Sequence, residues 1–445
     1  MLKKSHRLLL LPFFFTFTLL FFQPPSYASA FLPQEARGLA MGGVGVAAAD
    51  SGQAHYYNPS LLASARKNED FNFEIDATLR ITDNNQLIEA VYDFAEQDLY
   101  TTFFTDLADL SKNIANALNN GSTPTNIALV NTSQQKTVIS ARNLNRGINS
   151  ISGKSLTADS NAGIVASVPD RNLGWAAYWN NWTNLEAHGS LSNNDTTVMN
   201  NIVSALEPST SSSIDFQTLQ NQIANVTLDS TISLKGALFM EFGVSLARKS
   251  DPKSYSLDVG ITPKYQHVIA FDYIKELNEL DDEGGEIIDL DRRREYDTFN
   301  LDFGVSKQLS RNWKTGITVK NLIPKSFKTP SGENIKLSPS ARFGASFFTD
   351  WVTIGTDLDL TDNQDVSTNN KSRFLAFGAE FDVWLLQLRA GYRMNLSTEN
   401  SNIPSLGIGL YLFGLNIDAA VAAKQTTDIT EVRDVSAALQ LGINW

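Results

Sequence analysis

The stretch Val352-Thr353-Ile354-Gly355-Thr356-Asp357-Leu358-Asp359-Leu360 decides the fold. Successive side chains of an extended chain point to opposite faces. Val352, Ile354, Leu358 and Leu360 therefore share one face, and Thr353, Asp357 and Asp359 share the other. The same period of two recurs on either side. Leu238, Met240, Phe242, Val244 and Leu246 alternate with Glu241, Gly243 and Ser245, and Phe299, Leu301, Phe303 and Val305 alternate with Asn300, Asp302 and Ser306. Further on, Trp384, Leu386, Leu388 and Tyr392 alternate with Gln387, Arg389 and Arg393, and Leu415, Ile417, Ala419 and Val421 with Asn416 and Asp418. A soluble sandwich alternates too, but these strands also carry glycines and terminal aromatics, as membrane barrel strands do.

Connector length is the stronger argument. Fourteen candidate strands start near residues 71, 159, 172, 235, 255, 295, 312, 338, 351, 372, 384, 403, 415 and 434. The connectors between them alternate between short and long. The short ones are Asp170-Arg171, residues 248–254, Ser310-Arg311, Thr349-Asp350, a point near Asp382, and Phe413-Gly414; the long ones run roughly over 82–158, 183–234, 270–294, 322–337, 361–371, 396–402 and 425–433. Outer-membrane barrels have an even number of strands, short periplasmic turns and longer outer loops, and closure satisfies every backbone group in lipid. The expected fold is all-β, a transmembrane antiparallel barrel of about 14 strands occupying residues 70–445.

Both ends of the chain agree with export. Lys3, Lys4 and Arg7 precede an apolar run over residues 8–22, Pro24-Pro25 breaks it, and Ala28-Ser29-Ala30 offers a small-residue cleavage site. Residues 1–30 read as a signal peptide, with the cell outer membrane as destination. At the other end Leu439, Leu441, Ile443 and Trp445 alternate up to a terminal aromatic, the pattern of a C-terminal signal read by the barrel assembly machinery. The 445 residues include no cysteine, which excludes disulfides, Cys-ligated zinc and Cys nucleophiles. A net charge of −12 without a basic patch argues against nucleic acid as a partner.

Residues 31–69 do not read as barrel strands. Gly43-Val44-Gly45-Val46-Ala47-Ala48 matches a loose dinucleotide fingerprint, but no strand–turn–helix unit surrounds it. Gly42, Gly43 and Gly45 instead suit a compact segment passing close to other backbone. Arg37-Gly38-Leu39-Ala40-Met41-Gly42-Gly43-Val44-Gly45-Val46, followed by Tyr57-Asn58-Pro59-Ser60-Leu61-Leu62, resembles the N-terminus of the long-chain fatty acid transporter (FadL-like) superfamily, and more closely its branch named after TraF-type conjugal transfer proteins. Asn312-Trp313-Lys314-Thr315-Gly316, Lys320-Asn321-Leu322-Ile323-Pro324 and Leu388-Arg389-Ala390-Gly391-Tyr392-Arg393 have the same character. Ser60 stands where the transporters usually have Ala. The resemblance implies a 14-stranded barrel with residues 31–69 as a hatch inside it, Asn58-Pro59 within the hatch as a gate, and uptake of hydrophobic small molecules. The branch name implies, as an alternative, a structural or interaction protein of the envelope linked to conjugal transfer. The region 94–235 carries no part of the resemblance.

Within the inserts near 94–158 and 183–234, Phe103, Leu107, Leu110, Ile114 and Leu118 fall at helical spacing over 94–120, with weaker helical stretches at 198–206 and 216–226. Residues near 119–135 and 188–214 are rich in Asn, Ser and Thr and read as solvated loop. The helices are expected to pack on each other over the barrel mouth. Acidic residues crowd 276–291 without the spacing of a calcium loop and read as a solvated acidic loop, with bridging to lipopolysaccharide phosphates through divalent ions as the minor reading. Beyond the signal peptide the histidines are His55, His188 and His267, and none sits in a nucleophile or metal motif. No enzyme, metal or cofactor is expected. Alternation points Glu241, Asp302, Lys320, Asp357, Asp359, Glu380, Arg389, Arg393 and Asp418 into the lumen. Both signs occur without a single-sign ring, so pairing across the interior is expected. Around the barrel, outer-membrane lipid and lipopolysaccharide are the expected partners.

Overall fold

The computed structural model describes residues 28–29, 31–64, 70–83, 85–207, 216–224, 226–251, 257–277, 292–364, 371–397, 402–424 and 434–444. Fourteen strands close into one antiparallel barrel: β1 Asn72–Thr82, β2 Ser155–Val168, β3 Gly174–Ser190, β4 Thr231–Lys249, β5 Leu257–Glu276, β6 Arg293–Gln308, β7 Trp313–Lys320, β8 Ser340–Phe348, β9 Val352–Asp359, β10 Phe374–Val383, β11 Leu386–Asn395, β12 Asn402–Leu412, β13 Leu415–Ala423 and β14 Asp434–Asn444. Each strand pairs with its sequence neighbours, and β14 pairs with β1 from Asn444↔Asn72 to Asp434↔Thr82, so the wall has no edge there. The strand count and the starts agree with the alternation in the sequence.

The alternation sorts side chains to two solvents. Ile75, Leu79, Trp179, Phe242, Ile354, Leu406, Ile408, Leu439 and Leu441 face outward and are exposed, while Glu74, Asp76, Asn180, Glu241 and Ser405 face inward and are buried. An apolar outside around a polar inside inverts the soluble pattern and suits a lipid surround. The short-turn end also carries a ring of exposed aromatics: Trp175, Trp313, Trp351, Trp384 and Phe413. Trp384 and Phe413 sit in tight turns with φ of 59° and 51°. Amphipathic rings collect at a membrane–water boundary, so this ring marks one boundary of the apolar belt. On the opposite side β4 and β5 run to 19 and 20 residues, about twice the 9–11 that a tilted strand needs to span. The wall therefore stands tall on the long-loop side.

Inside the barrel lie α1 (Ala36–Ala40), α2 (Ala54–Tyr57) and a 3₁₀ helix (Pro59–Ala63), joined by tight turns and buried almost throughout. This is the hatch. It enters at the short-turn end, where Asp170 N donates to Leu62 O at 3.0 Å. On the long-loop side, α3 (Leu87–Glu96), α4 (Leu99–Asn120), α5 (Pro124–Ile151), α6 (Asn193–Leu206) and α7 (Phe216–Ile223) form a cap with its own apolar core. Phe94, Phe103, Leu110, Ile114, Leu144, Ile148, Met199 and Ile202 meet there, so the two inserts pack on each other as expected.

Two expectations fail. Most of 119–135 and of 188–207 is regular structure and not loop: α5 begins at Pro124, and α6 covers Asn193–Leu206; the rest of that expectation, 208–214, lies outside the described residues. Their polar composition is absorbed locally. Thr123 caps Asn126 N, with Pro124 in the first helical turn, and the Thr137 and Ser140 hydroxyls donate back to Ser133 O and Lys136 O. Val130, Val138, Ala141, Leu144 and Ile148 then fill one face. The cleavage segment apart from Ala28–Ser29, the end of the hatch at 65–69, most of the acidic loop and Trp445 lie outside the described residues.

Candidate functional site

The site is the bore, where the hatch meets the wall. Wall glycines make the seat. Gly260 and Gly304 pair across β5–β6, Gly316 and Gly344 across β7–β8, and Gly355, Gly378 and Gly391 line up across β9–β11. A Cβ at Gly391 would lie 2.1 Å from Gly42 N, at Gly378 2.5 Å from Met41 O, and at Gly304 2.0 Å from Asn58 Oδ1. Together they form a furrow in the inner wall that lets hatch backbone lie directly on strand backbone.

Ion pairs and hydrogen bonds fasten the hatch in that furrow. Arg37 on α1 donates to Glu380 through Nε (2.7 Å) and Nη2 (2.9 Å), and through Nη1 to Ala48 O (3.0 Å). Glu380 also accepts from Arg389 Nε at 2.7 Å, and Arg389 Nη1 donates to Asp418 at 2.5 Å. Asp50 lies 3.5 Å from Arg37, so a chain of alternating charge runs from hatch to wall. Asp357 Oδ2 accepts Gly45 N (2.9 Å) and Val46 N (3.0 Å). Arg342 donates to Asp359 (2.6 Å), Gly43 O (3.2 Å) and Phe31 O (2.8 Å), with its guanidinium 4.2 Å over the Phe31 ring. Lys320 Nζ donates to Tyr56 O at 2.9 Å, and Tyr56 OH donates to Asp76 at 2.9 Å.

Burial displaces the titration of several hatch groups, and Glu35 and His55 are the two whose charge this changes within the ordinary pH range. Glu35 caps α1, accepting from Gly38 N at 2.6 Å and Tyr57 OH at 3.0 Å. Burial pushes its pKa up to about 7. His55 lies among the rings of Tyr56 and Tyr178, and burial pushes its pKa down to about 3, so it is neutral and structural.

Of the residues singled out in the sequence, Asn58 is fully buried. Its Nδ2 donates to Val46 O (2.9 Å) and Val305 O (3.2 Å), and its Oδ1 accepts Ser60 N (3.1 Å) as the cap of the 3₁₀ helix that Pro59 opens. Gly42 and Gly43 have φ of +71° and +94°, where a side chain is strained, and a Cβ on Gly45 would lie 2.2 Å from Tyr57. Glu241, Asp302, Asp357, Asp359, Glu380, Arg389, Arg393 and Asp418 are all buried in the lumen, with Lys320 half-buried beside them. Glu241 and Asp302 share Lys264, at 3.5 and 3.2 Å. Arg393 stands apart from these pairs: its guanidinium lies 4.7 Å over the Phe374 ring, and its Nε and Nη1 have no hydrogen-bond partner. Sequence reasoning missed Glu35, Arg37, Lys264 and Arg342. Alternation could have found Lys264 and Arg342, which face inward on β5 and β8; the hatch has no periodicity to find the other two.

On the long-loop side of the hatch lies a cavity of about 90 Å³ lined by Phe31, Arg80, Asp159, Trp182, Glu241 and Lys320, among others. Thr78 Oγ1, Asn161 Oδ1, Asn321 Oδ1 and Ser436 Oγ border it without a hydrogen-bond partner. Such a cavity holds several waters or a small polar group. Among the described residues no cluster of metal-ligating side chains occurs.

A family model described as "F plasmid transfer operon, TraF, protein" matches residues 55–359, about two thirds of the chain. Among curated protein sequences none matches. Of solved structures, the P. putida toluene transporter TodX is similar at 11% identity and a TM-score of 0.50, with 94% of this chain and 99% of that one covered. A structure titled "TodX deltaS2S3 mutant monoaromatic hydrocarbon channel" has the same identity and TM-score, with 92% and 99% covered. At that identity the likeness is one of fold.

Proposed function

The chain belongs to the TraF family of F plasmid transfer operon proteins, and we propose that it is an outer-membrane channel whose hatch is a displaceable gate for hydrophobic small molecules. One observation carries this reading. The charged and polar fastening of the hatch runs through a glycine furrow, ion pairs and hydrogen bonds, and its apolar contacts with the wall are split into three patches around Leu61-Leu62, Leu39 and Met41. Polar contacts can be exchanged for water when the hatch moves, so it is built to leave and return. The barrel it closes has the fold of hydrocarbon channels. The apolar belt and aromatic ring suit outer-membrane lipid and lipopolysaccharide, and a C-terminal strand ending in Trp445 suits the barrel assembly machinery.

The test is mass spectrometry of what co-purifies with the detergent-extracted protein, against a boiled control, joined to transport by Asn58→Ala. A specific apolar molecule in the native sample and altered uptake in the variant support the channel. Unchanged uptake by folded Asn58→Ala counts against the gate. A second reading, an envelope-interaction protein linked to conjugal transfer, is favoured by the helical cap, whose surface exposes Ile88, Tyr92, Leu129 and Ile139. Under it, excising the cap should abolish partner capture and leave uptake intact.

A further inference from the structure

Above Lys320 the wall is interrupted. Asn321 takes a left-handed conformation (φ 54°), and β7 ends while β6 continues toward its start at Arg293. The chain instead forms a hairpin of Lys325–Lys328 with Asn334–Leu337, in which Phe327 faces Ile335. The hairpin folds over the inner surface of the tall wall. Phe327, Ile335 and Leu337, all at most 3% exposed, pack on Ala237, Phe239, Val268 and Ala270, with Trp182 and Tyr296 beside them. The inward face of β4 thus changes character along its length: Glu241 and Ser245 are polar beside the hatch, whereas Phe239 and Ala237 above are apolar.

The centre of this patch is a slot for one ring. Phe327 sits edge-on to Phe239 at 5.9 Å and tilted to Tyr296 at 5.4 Å, and Phe239 stacks on Trp182 at 3.9 Å. Alanines at 237 and 270 supply the depth. The ring in the slot belongs to a short element held on the wall by three buried apolar side chains and few polar ties. An isolated two-stranded hairpin is marginal. Its polar ties are rim contacts: Tyr296 OH to Lys328 O at 2.8 Å, the Lys235–Glu333 pair at 2.6 Å with Glu333 largely exposed, and Ser331 on Asp272. Exposed pairs of this kind hold little. Trp182 also lines the cavity below, so slot and cavity adjoin.

We propose that the Phe239–Trp182–Tyr296 slot is a binding site for a single-ring aromatic molecule, and that Phe327 is its tethered resident, displaced when the ligand binds. The proposal rests on the channel reading above and names its substrate class. Edge-to-face and stacked geometry selects a flat ring over an aliphatic one of equal size.

The test uses the full chain in lipid nanodiscs, titrated with 4-nitrobenzyl alcohol, a single-ring quencher of tryptophan, with cyclohexylmethanol as competitor. The expected result is saturable quenching that Trp182→Phe removes and cyclohexylmethanol does not displace. Phe327→Ala should bind at least about tenfold tighter, the gain if the hairpin stands open less than a tenth of the time. The chain has no cysteine of its own, so Lys235→Cys with Glu333→Cys can be joined by a short bismaleimide that keeps the hairpin shut. The joined protein should show no saturable quenching, and the unjoined double variant should bind. Equal affinity in wild type and Phe327→Ala, or saturable binding to the joined protein, overturns the slot. The channel reading fails separately: binding that the cross-link abolishes, with uptake of the same alcohol equal in cells that have and lack the protein, removes the channel and leaves the slot. Uptake that depends on the protein, together with saturable binding to the joined form, removes the slot and leaves the channel.

Discussion

Glu35, the N-cap of α1, and Arg37, two residues on, answer opposite questions about the hatch. Arg37 holds it by charge. Replacing Arg37 with Ala leaves Glu380 its bond to Arg389 but takes away the hatch's own bidentate contact. Breaking one side of a buried pair costs about 3–5 kcal/mol, here out of hatch seating and not out of the barrel. Planar-bilayer recordings should show raised conductance with the unboiled barrel band unchanged on a denaturing gel. Glu35 makes seating depend on pH. Its carboxyl titrates at about 7 when seated, against 4.5 in water. The seated hatch therefore keeps a proton that a displaced one releases between those values. Glu35's contribution is complete below about pH 4.5 and is lost as pH rises to about 7. His55, pushed down to about 3 from 6.5, acts in the other direction, opposing seating as pH falls below 6.5. Comparison with Glu35→Gln isolates the first effect. Between pH 5 and 8, hydrogen exchange at hatch amides, corrected for intrinsic rates, should accelerate in wild type more than in the variant; equal acceleration would discard Glu35 as the cause.

At the scale of elements, the furrow separates wall from hatch. Gly391 is an ordinary strand residue, so the wall accepts Gly391→Ala, yet the added carbon would meet backbone of Met41 and Gly42 that cannot rotate away. The hatch should lift, giving protease access to residues 31–64 while the barrel stays heat-modifiable. Gly442→Ala, whose nearest neighbour would be Glu74 Cγ at 3.3 Å, should leave the hatch seated. The same contrast explains what the sequence could and could not disclose. Fourteen strands were legible because each carries its own period-two record of lipid on one side and lumen on the other. The lumen position of Glu380, Arg389 and Asp418 followed from the same parity. The partnership of Arg37 with Glu380 did not, because 343 positions separate them and no local pattern encodes it. Helix α5 was hidden by a different cause: its Asn, Ser and Thr content resembles loop until their hydroxyls are seen to return to its own carbonyls. The inward hairpin left no mark beyond its apolar residues Phe327, Ile335 and Leu337.

At the scale of the molecule, barrel and cap are separately cored. Excising residues 87–151 would bare much of Met199, Ile202, Leu206 and Phe216 on α6 and α7, leaving them one another and a few residues at the barrel rim such as Leu228, Ile232 and Leu277. Helical circular dichroism should fall by more than the excised helices account for, while unboiled and boiled samples still migrate differently. Loss of the mobility difference would show that the cap is needed for closure. Closure itself joins β14 to β1, and this has a kinetic consequence. The first strand synthesised cannot be paired on both edges until the last one arrives, more than 350 residues later. A pairing so distant in sequence is slow to form, and the unpaired edges of both strands invite wrong partners meanwhile. The hatch precedes β1, so it has to be in place while the wall curls round it, or be drawn in before the seam shuts. On the channel reading proposed above, the topology calls for an escort until the seam, the last pairing to form, has shut.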